Sequence, residues 1–166
     1  SPMSAGRPQR EVYMSDTKAK SMSIIVTKGT LDWGYPPFIL ATTAASMGLD
    51  VTLFFTFYGL ALLKKKMDPK ITTLGNAAME MPMMGGHMAM PNLMGMLPGV
   101  DSMATTMMKN LIKKKGVASL EELREMTVEC DVRMIACQMT LDLFEYKQDD
   151  LIDGLEFAGA ATWVEV

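Results

Sequence analysis

The sequence predicts an α/β fold: a single domain with a mostly parallel β-sheet flanked by helices, carrying one long methionine-rich loop. Three observations point there. Short continuous apolar runs, such as "SIIV" and "VTLFF", alternate with longer helical stretches, the order that builds a parallel sheet covered by helices. Turn residues punctuate each change of period. The chain, 166 residues with 49% hydrophobic and 21% charged residues, is long enough to bury one sizeable core.

Taken in order, "SMSIIVTKG" is a β-branched run closed by Lys28 and Gly29, the pattern of a buried strand ending in a turn. "TLDWGYPPFILATTAASMGLD" opens with turn residues, passes Pro36 and Pro37, and becomes an Ala-rich helix that stops at Gly48. Proline in a first helical turn and glycine just past the last are both favoured. "DVTLFFTF", Asp50 to Phe57, reads as a strand covered on both faces, and "YGLALLKKK" as a short helix with a cationic last turn.

Residues 67–100 break this rhythm with prolines, glycines and no clear period, and loops of that length are usually functional or mobile. Regularity returns with a helix from Asp101 to Lys115, closed by Gly116. Ser119 three residues before Glu122 is a capping box that starts the next helix. "VRMIAC" is a third strand. The remainder, "QMTLDLFEYKQDDLIDGLEFAGAATWVEV", predicts a helix, an acidic turn and a more apolar helix from about Leu155. No internal repeat is visible.

Composition narrows the function classes. A net charge of -3 supplies no basic face for nucleic acid. The most apolar run, Val51 to Leu63, contains Thr and Gly and is shorter than the roughly 20 residues that span a bilayer. Residues 1–20 are polar, with both signs of charge and no apolar stretch for a secretion machinery; an extended or disordered segment is expected there, with Ser1 and Pro2 reading as a cloning scar. Two cysteines without an export signal point to a reducing, cytoplasmic setting. The glycines of "KGTLDWG" form neither a dinucleotide fingerprint nor a P-loop, and no cofactor is expected.

The chemistry concentrates on Cys137, the last residue of "VRMIAC", just before a helix expected to start near Met139 or Thr140. In open parallel sheets the ligand crevice lies beyond the carboxyl ends of the strands. A helix N-terminus at the same place offers backbone N–H groups and partial positive charge, which favour thiolate over thiol. Position alone also permits a plain buried cysteine, since free Cys is among the most buried residue types. Cys130 is expected at the opposite end of the same strand, roughly 17 to 20 Å away by extended-chain geometry. Bridged Cα atoms lie within about 7 Å, so a disulfide between the two is disfavoured. Glu129 and Asp131 beside Cys130 should hinder its ionisation.

The methionine-rich loop, about residues 76–100, holds eight of the 19 methionines between Met79 and Met96. Met79, Met81, Met83, Met84, His87, Met88 and Met90 are the soft ligand types that Cu(I) selects, and a copper-binding or purely interacting protein is the alternative to thiol chemistry. An adaptable apolar flap over the thiol, a subunit contact or a membrane-surface contact uses the same residues without metal. One histidine cannot build a zinc cluster. Lys64–Lys66 and Lys113–Lys115 suit helix C-termini and could also steer an acidic partner. Trp33 and Tyr35 follow the first strand closely enough to line its crevice or simply to pack.

Four segments together resemble a known family: "TKGTLDWGYPPFILATTAASMGLDVTLFFTFYGL", "MPNLMGMLPGVDSMATTMMKN", "IACQMTLDLF" and "DDLIDGLEFAGAATWVEV". They are similar to the DsrE/DsrF-like sulfur-trafficking proteins, in the branch encoded with sulfur-oxidation enzymes, over about residues 21–166. The resemblance implies a small α/β domain, homo-oligomeric assembly and a cysteine that carries sulfur as a persulfide or thiosulfonate. The family's "AC" step maps onto Ala136 and Cys137, making Cys137 the sulfur-accepting nucleophile. Cys130 lies where some members have a second, auxiliary cysteine. Implied partners are a small TusA-like sulfur carrier protein, with rhodanese-like and heterodisulfide-reductase-like proteins in the same pathways.

Overall fold

The computed structural model describes residues 20–72, 80–83, 86–89 and 96–165, the two short strands at 80–83 and 86–89 as backbone only. Its centre is a sheet of strands β1 (Ser21–Val26), β2 (Asp50–Phe55), β5 (Arg133–Cys137) and β6 (Glu156–Ala158), in that spatial order. Every pairing in it is parallel, the arrangement expected from alternating strands and helices. Strands β3 (Glu80–Met83) and β4 (Gly86–Ala89) form a separate antiparallel hairpin. Part of the predicted methionine-rich loop is therefore regular, with Pro82 opposite His87. The described residues also form five α-helices, α1 (Leu31–Ser46), α2 (Val100–Lys114), α3 (Leu120–Glu129), α4 (Gln138–Leu143) and α5 (Ala160–Val164), and two 3-10 segments, Phe57–Leu63 and Gln148–Asp150.

Period-two alternation decides which way each strand faces. Val26, Val51, Leu53, Phe55, Met134 and Ala136 point to one side and pack with Phe38, Ala41 and Ala44 of α1 and Leu120 and Leu123 of α3. Phe54, Ile135 and Cys137 point to the other, where Ala158 and Trp163 meet them and Trp163 stacks on Phe54 at 5.6 Å. Strand β1, expected to be buried, is instead an edge strand whose Ser21, Ser23 and Ile25 are exposed. The β-branched run does not distinguish one covered face from two, because period-two burial is satisfied by either.

Helix α1 begins five residues ahead of Pro36, so both prolines lie inside it rather than in its first turn. Its start is tied down from outside: the Leu31 N–H donates to the Lys70 carbonyl at 2.8 Å, and Asp32 accepts from the Thr72 N–H at 2.9 Å. These contacts compensate a helix with two missing internal donors. Its end follows expectation, with Gly48 in the left-handed region at φ 85°. Ser119 also behaves as its spacing predicts, accepting from the Glu122 N–H at 3.2 Å to cap α3.

Two assignments change. "YGLALL" belongs to a 3-10 segment, Phe57–Leu63, rather than to an α-helix. Leu60, Leu62 and Leu63 of that segment are all fully buried, and apolar residues at such close spacing do not fall on one α-helical face. The apolar helix expected from Leu155 is strand β6 followed by the five-residue α5. A short apolar run cannot be assigned by period alone, and here a sheet position beside β5 takes it. Residues 1–19 lie outside the described residues.

The 3-10 segment is the junction of the molecule. The Val26 carbonyl accepts from the Thr56 N–H at 3.0 Å, and a Cβ on Gly59 would collide with that same carbonyl. From α3, the buried Arg124 donates to the carbonyls of Leu62 (2.9 Å) and Lys64 (2.6 Å). The Ile152 N–H reaches the Leu63 carbonyl at 2.9 Å. Gly59→Ala is therefore expected to destabilise the protein by about 3 kcal/mol, the upper range of overpacking. Gly154→Ala, at a positive-φ turn with nothing within 4 Å of the added methyl, should lose only the smaller backbone cost. Urea unfolding of both variants measures the ordering.

Candidate functional site

Cys137 ends β5 and is at the same time the N-cap residue of α4. The helix starts at Gln138, earlier than the Met139 or Thr140 expected, so the thiol occupies the position from which a side chain faces the N–H groups two and three residues on. Those residues are Met139 and Thr140. With 4% of its surface exposed, the cysteine is buried, on the sheet face shared with Phe54 and Ile135 and paired in register with Ala158.

Burial alone pushes the Cys137 thiol up. It is outweighed by the Thr140 hydroxyl and N–H, the Thr56 hydroxyl and the Met139 N–H, which together hold the thiol below its ordinary value. The neutral thiol closes no capping hydrogen bond; these donors favour the thiolate, a better acceptor. A six-residue helix has a small macrodipole, so the named hydroxyls and amides replace the helix field expected from sequence.

Thr140 is fully buried. Its hydroxyl accepts from the Phe57 N–H at 3.2 Å and meets the Thr56 hydroxyl at 3.2 Å. Phe57 has φ 49°, a left-handed conformation that costs of order 1–3 kcal/mol for such a residue and gathers at functional sites. Around it, Phe57, Tyr58, Phe144 and Tyr146 form an aromatic cluster with centroids 5.6 to 6.1 Å apart. Within it Tyr58 is exposed, as are Met139 and Leu143 of α4.

Sequence reasoning did not find Thr56 or Thr140. The available signal was the Cys-x-x-Thr spacing of Cys137 and Thr140, which mimics a capping box with sulfur at the N-cap.

Cys130 is corrected. It does not lie on β5 but caps the C-terminus of α3, its N–H donating to the Met126 carbonyl at 2.9 Å. The turn that follows, with Asp131 at φ 57°, separates it from the strand, because a helix ending this close must reverse before the sheet begins. Both cysteines are free thiols, Cys130 exposed and Cys137 buried. Cys130 borders a cavity of about 370 Å³ with Asp50, Val51, Asp131 and Arg133, at the opposite ends of the strands from Cys137, so the two thiols are not brought together.

The side chains of Met79, Met81, Met83, Met84, His87, Met88 and Met90 lie outside the described residues. Among the described residues, no group of three or more His, Cys, Asp or Glu could hold a metal ion, and no helix is long and apolar enough to cross a membrane. Tyr35 packs against the core and donates to the Ala118 carbonyl at 3.0 Å. Half-exposed Trp33 carries Lys28 over its ring at 3.9 Å. Lys113 and Lys114 fall in the last turn of α2, as their spacing predicts. Lys64 follows the 3-10 segment and lies over Tyr146.

A parallel α/β sheet with a buried free cysteine at a strand end defines a class of small thiol proteins. Residues 18–166 match the DsrE/DsrF/DrsH-like family, and the chain belongs to it. It is 58% identical over 146 residues to "Sulfur carrier protein DsrE2" of Allochromatium vinosum, covering 88% of this chain and 91% of that one. It is also 31% identical over 159 residues to "Uncharacterized protein YrkE" of Bacillus subtilis, covering 89% and 91%.

The depressed thiol value has a definite sign in stability. Ionisation of Cys137 is easier in the folded protein than in the unfolded chain, so it stabilises the fold. That contribution is fully present above the unfolded thiol value, about 8.5, and is lost as pH falls through the lower folded value. Urea unfolding under reducing conditions should show wild type gaining on Cys137→Ser as pH rises through this window. Parallel curves would contradict the shift.

Proposed function

We propose that this chain is a cysteine-based sulfur carrier, with Cys137 accepting sulfane sulfur and handing it to a partner's cysteine. The observation that carries the proposal is a buried thiol held below its ordinary value by neutral donors at the end of a parallel strand. The high identity to a protein named as a sulfur carrier supports the same role.

Transfer needs no metal, base or nucleotide. The Cys137 thiolate attacks the outer sulfur of a donor persulfide; the donor's S–S bond breaks, its thiolate leaves with the electron pair, and Cys137 carries the new S–S bond. With tetrathionate, thiosulfate is the leaving group and Cys137 carries a thiosulfonate. In the second step a partner thiolate attacks the sulfur attached to Cys137, and Cys137 leaves as thiolate. A low-pKa thiol serves both steps, since it is populated as nucleophile and departs readily as leaving group. Burial keeps water and stray thiols from the adduct.

A TusA-like carrier is the exchange partner in this scheme, and rhodanese-like and heterodisulfide-reductase-like proteins act further along dissimilatory sulfur oxidation. The working form is a homo-oligomer in the cytoplasm, where reducing conditions keep Cys137 free between cycles. Cys130, exposed and distant, is auxiliary.

Mass spectrometry after incubation with tetrathionate or a persulfide donor tests the assignment. Wild type and Cys130→Ser should each gain one sulfur-containing adduct, mapped to Cys137, and Cys137→Ser should gain none there. An undiminished adduct in Cys137→Ser would overturn it.

A further inference from the structure

We infer that Thr56 and Thr140 act as one positioning unit, a pair of joined hydroxyls pinned by the Phe57 N–H, which presents a single proton to the Cys137 sulfur. Its purpose rests on the sulfur-carrier proposal. Its existence rests on geometry.

Each threonine hydroxyl has one proton and two lone pairs. The Phe57 N–H occupies one lone pair of Thr140, and the bond between the two hydroxyls uses one of their two protons. One proton remains. Thr140 is fully buried and Thr56 half-buried, so a hydroxyl proton without an acceptor would be costly at this depth. A thiolate is an acceptor only, and Cys137 caps the helix whose third residue is Thr140, with both hydroxyls among the donors that favour its ionised form. Whichever threonine donates across the pair, the other turns its proton to sulfur.

The unit joins three elements. Thr56 follows β2, Thr140 lies on α4 after β5, and the Phe57 N–H that pins them opens the 3-10 segment. Charged groups on the adjoining elements are engaged elsewhere: Asp142 accepts from the Gln138 amide at 2.9 Å, and Arg133 pairs with Glu156 at the far end of β5. Among the described residues, no charged side chain contributes to the thiol's shift. Loss of the Thr140 hydroxyl removes both a donor and the bridge that orients Thr56. Loss of the Thr56 hydroxyl leaves the Thr140 proton to sulfur but removes the partner that orients it, so the midpoint rises by less.

The test measures the pH dependence of iodoacetamide alkylation in a Cys130→Ser background, where only Cys137 reacts. Thr140→Val should move the midpoint up by about one pH unit, a tenfold loss of thiolate on the acid side. Thr140→Ser should restore it, and Thr56→Val should raise it by less. A folded Thr140→Val protein with an unchanged midpoint would overturn the unit and leave Thr140 a structural anchor for Phe57. Should Thr140→Val not fold, Thr56→Val decides: a raised midpoint supports the unit and an unchanged one overturns it. Alkylation uses no sulfur donor, so a responsive midpoint in a protein that forms no sulfur adduct would sink the carrier proposal while sparing the hydroxyl pair.

Discussion

The close approach of Gly59 to the Val26 carbonyl is the constraint on which the rest of the structure depends. It fixes the path of the chain leaving β2 and lays the 3-10 segment across the end of β1. From there the segment takes hydrogen bonds from Arg124 on α3 and from Ile152 near the C-terminus. A side chain at position 59 would lift the segment and separate these contacts together. The same path brings Thr56 and Phe57 to Thr140, so the floor of the thiol site is a by-product of how the core closes. Stability and site geometry share one hinge point.

What the site does chemically follows from the choice of donors. A cysteine can be activated by a histidine, a lysine, a metal or a long helix. Here a short helix contributes two backbone N–H groups and the threonines contribute hydroxyls. Together these donors favour the thiolate over the thiol, which suits the proposed sulfur carrier. Phe57 and Tyr58 of the aromatic cluster are exposed, whereas the Cys137 sulfur is covered.

The main lines of the fold are legible in the sequence because they rest on continuous apolar runs and on glycines where the backbone demands them: β2 and β5 and the stops at Gly48 and Gly116 follow from these. Two features are not legible for physical reasons. A run as short as "LEFAGAATWV" satisfies helix and strand equally until a neighbouring strand edge is supplied by β5. The 3-10 segment is defined by three buried leucines whose partners come from α1, α3 and the C-terminal region, all remote in sequence. At the site, Cys137 is visible from its place at a strand end. Thr56 is not, because its relation to Thr140 spans 84 positions and exists only once β2 and β5 are neighbours. Cys130 is legible in part: its separation from Cys137 follows from the reach of an extended chain, whereas its place at the end of α3 rather than on β5 does not show in so short a stretch.

The neutral character of the thiol's surroundings has an electrical consequence. Fields from dipoles in contact are short-ranged and are not screened by mobile ions as those of exposed charges are. Among the described residues, the groups that favour the Cys137 thiolate are thereby ones whose own strength does not vary with ionic strength. The described lysines and carboxylates are not the groups that tune the sulfur, so substituting one of them leaves the thiol's own donors in place.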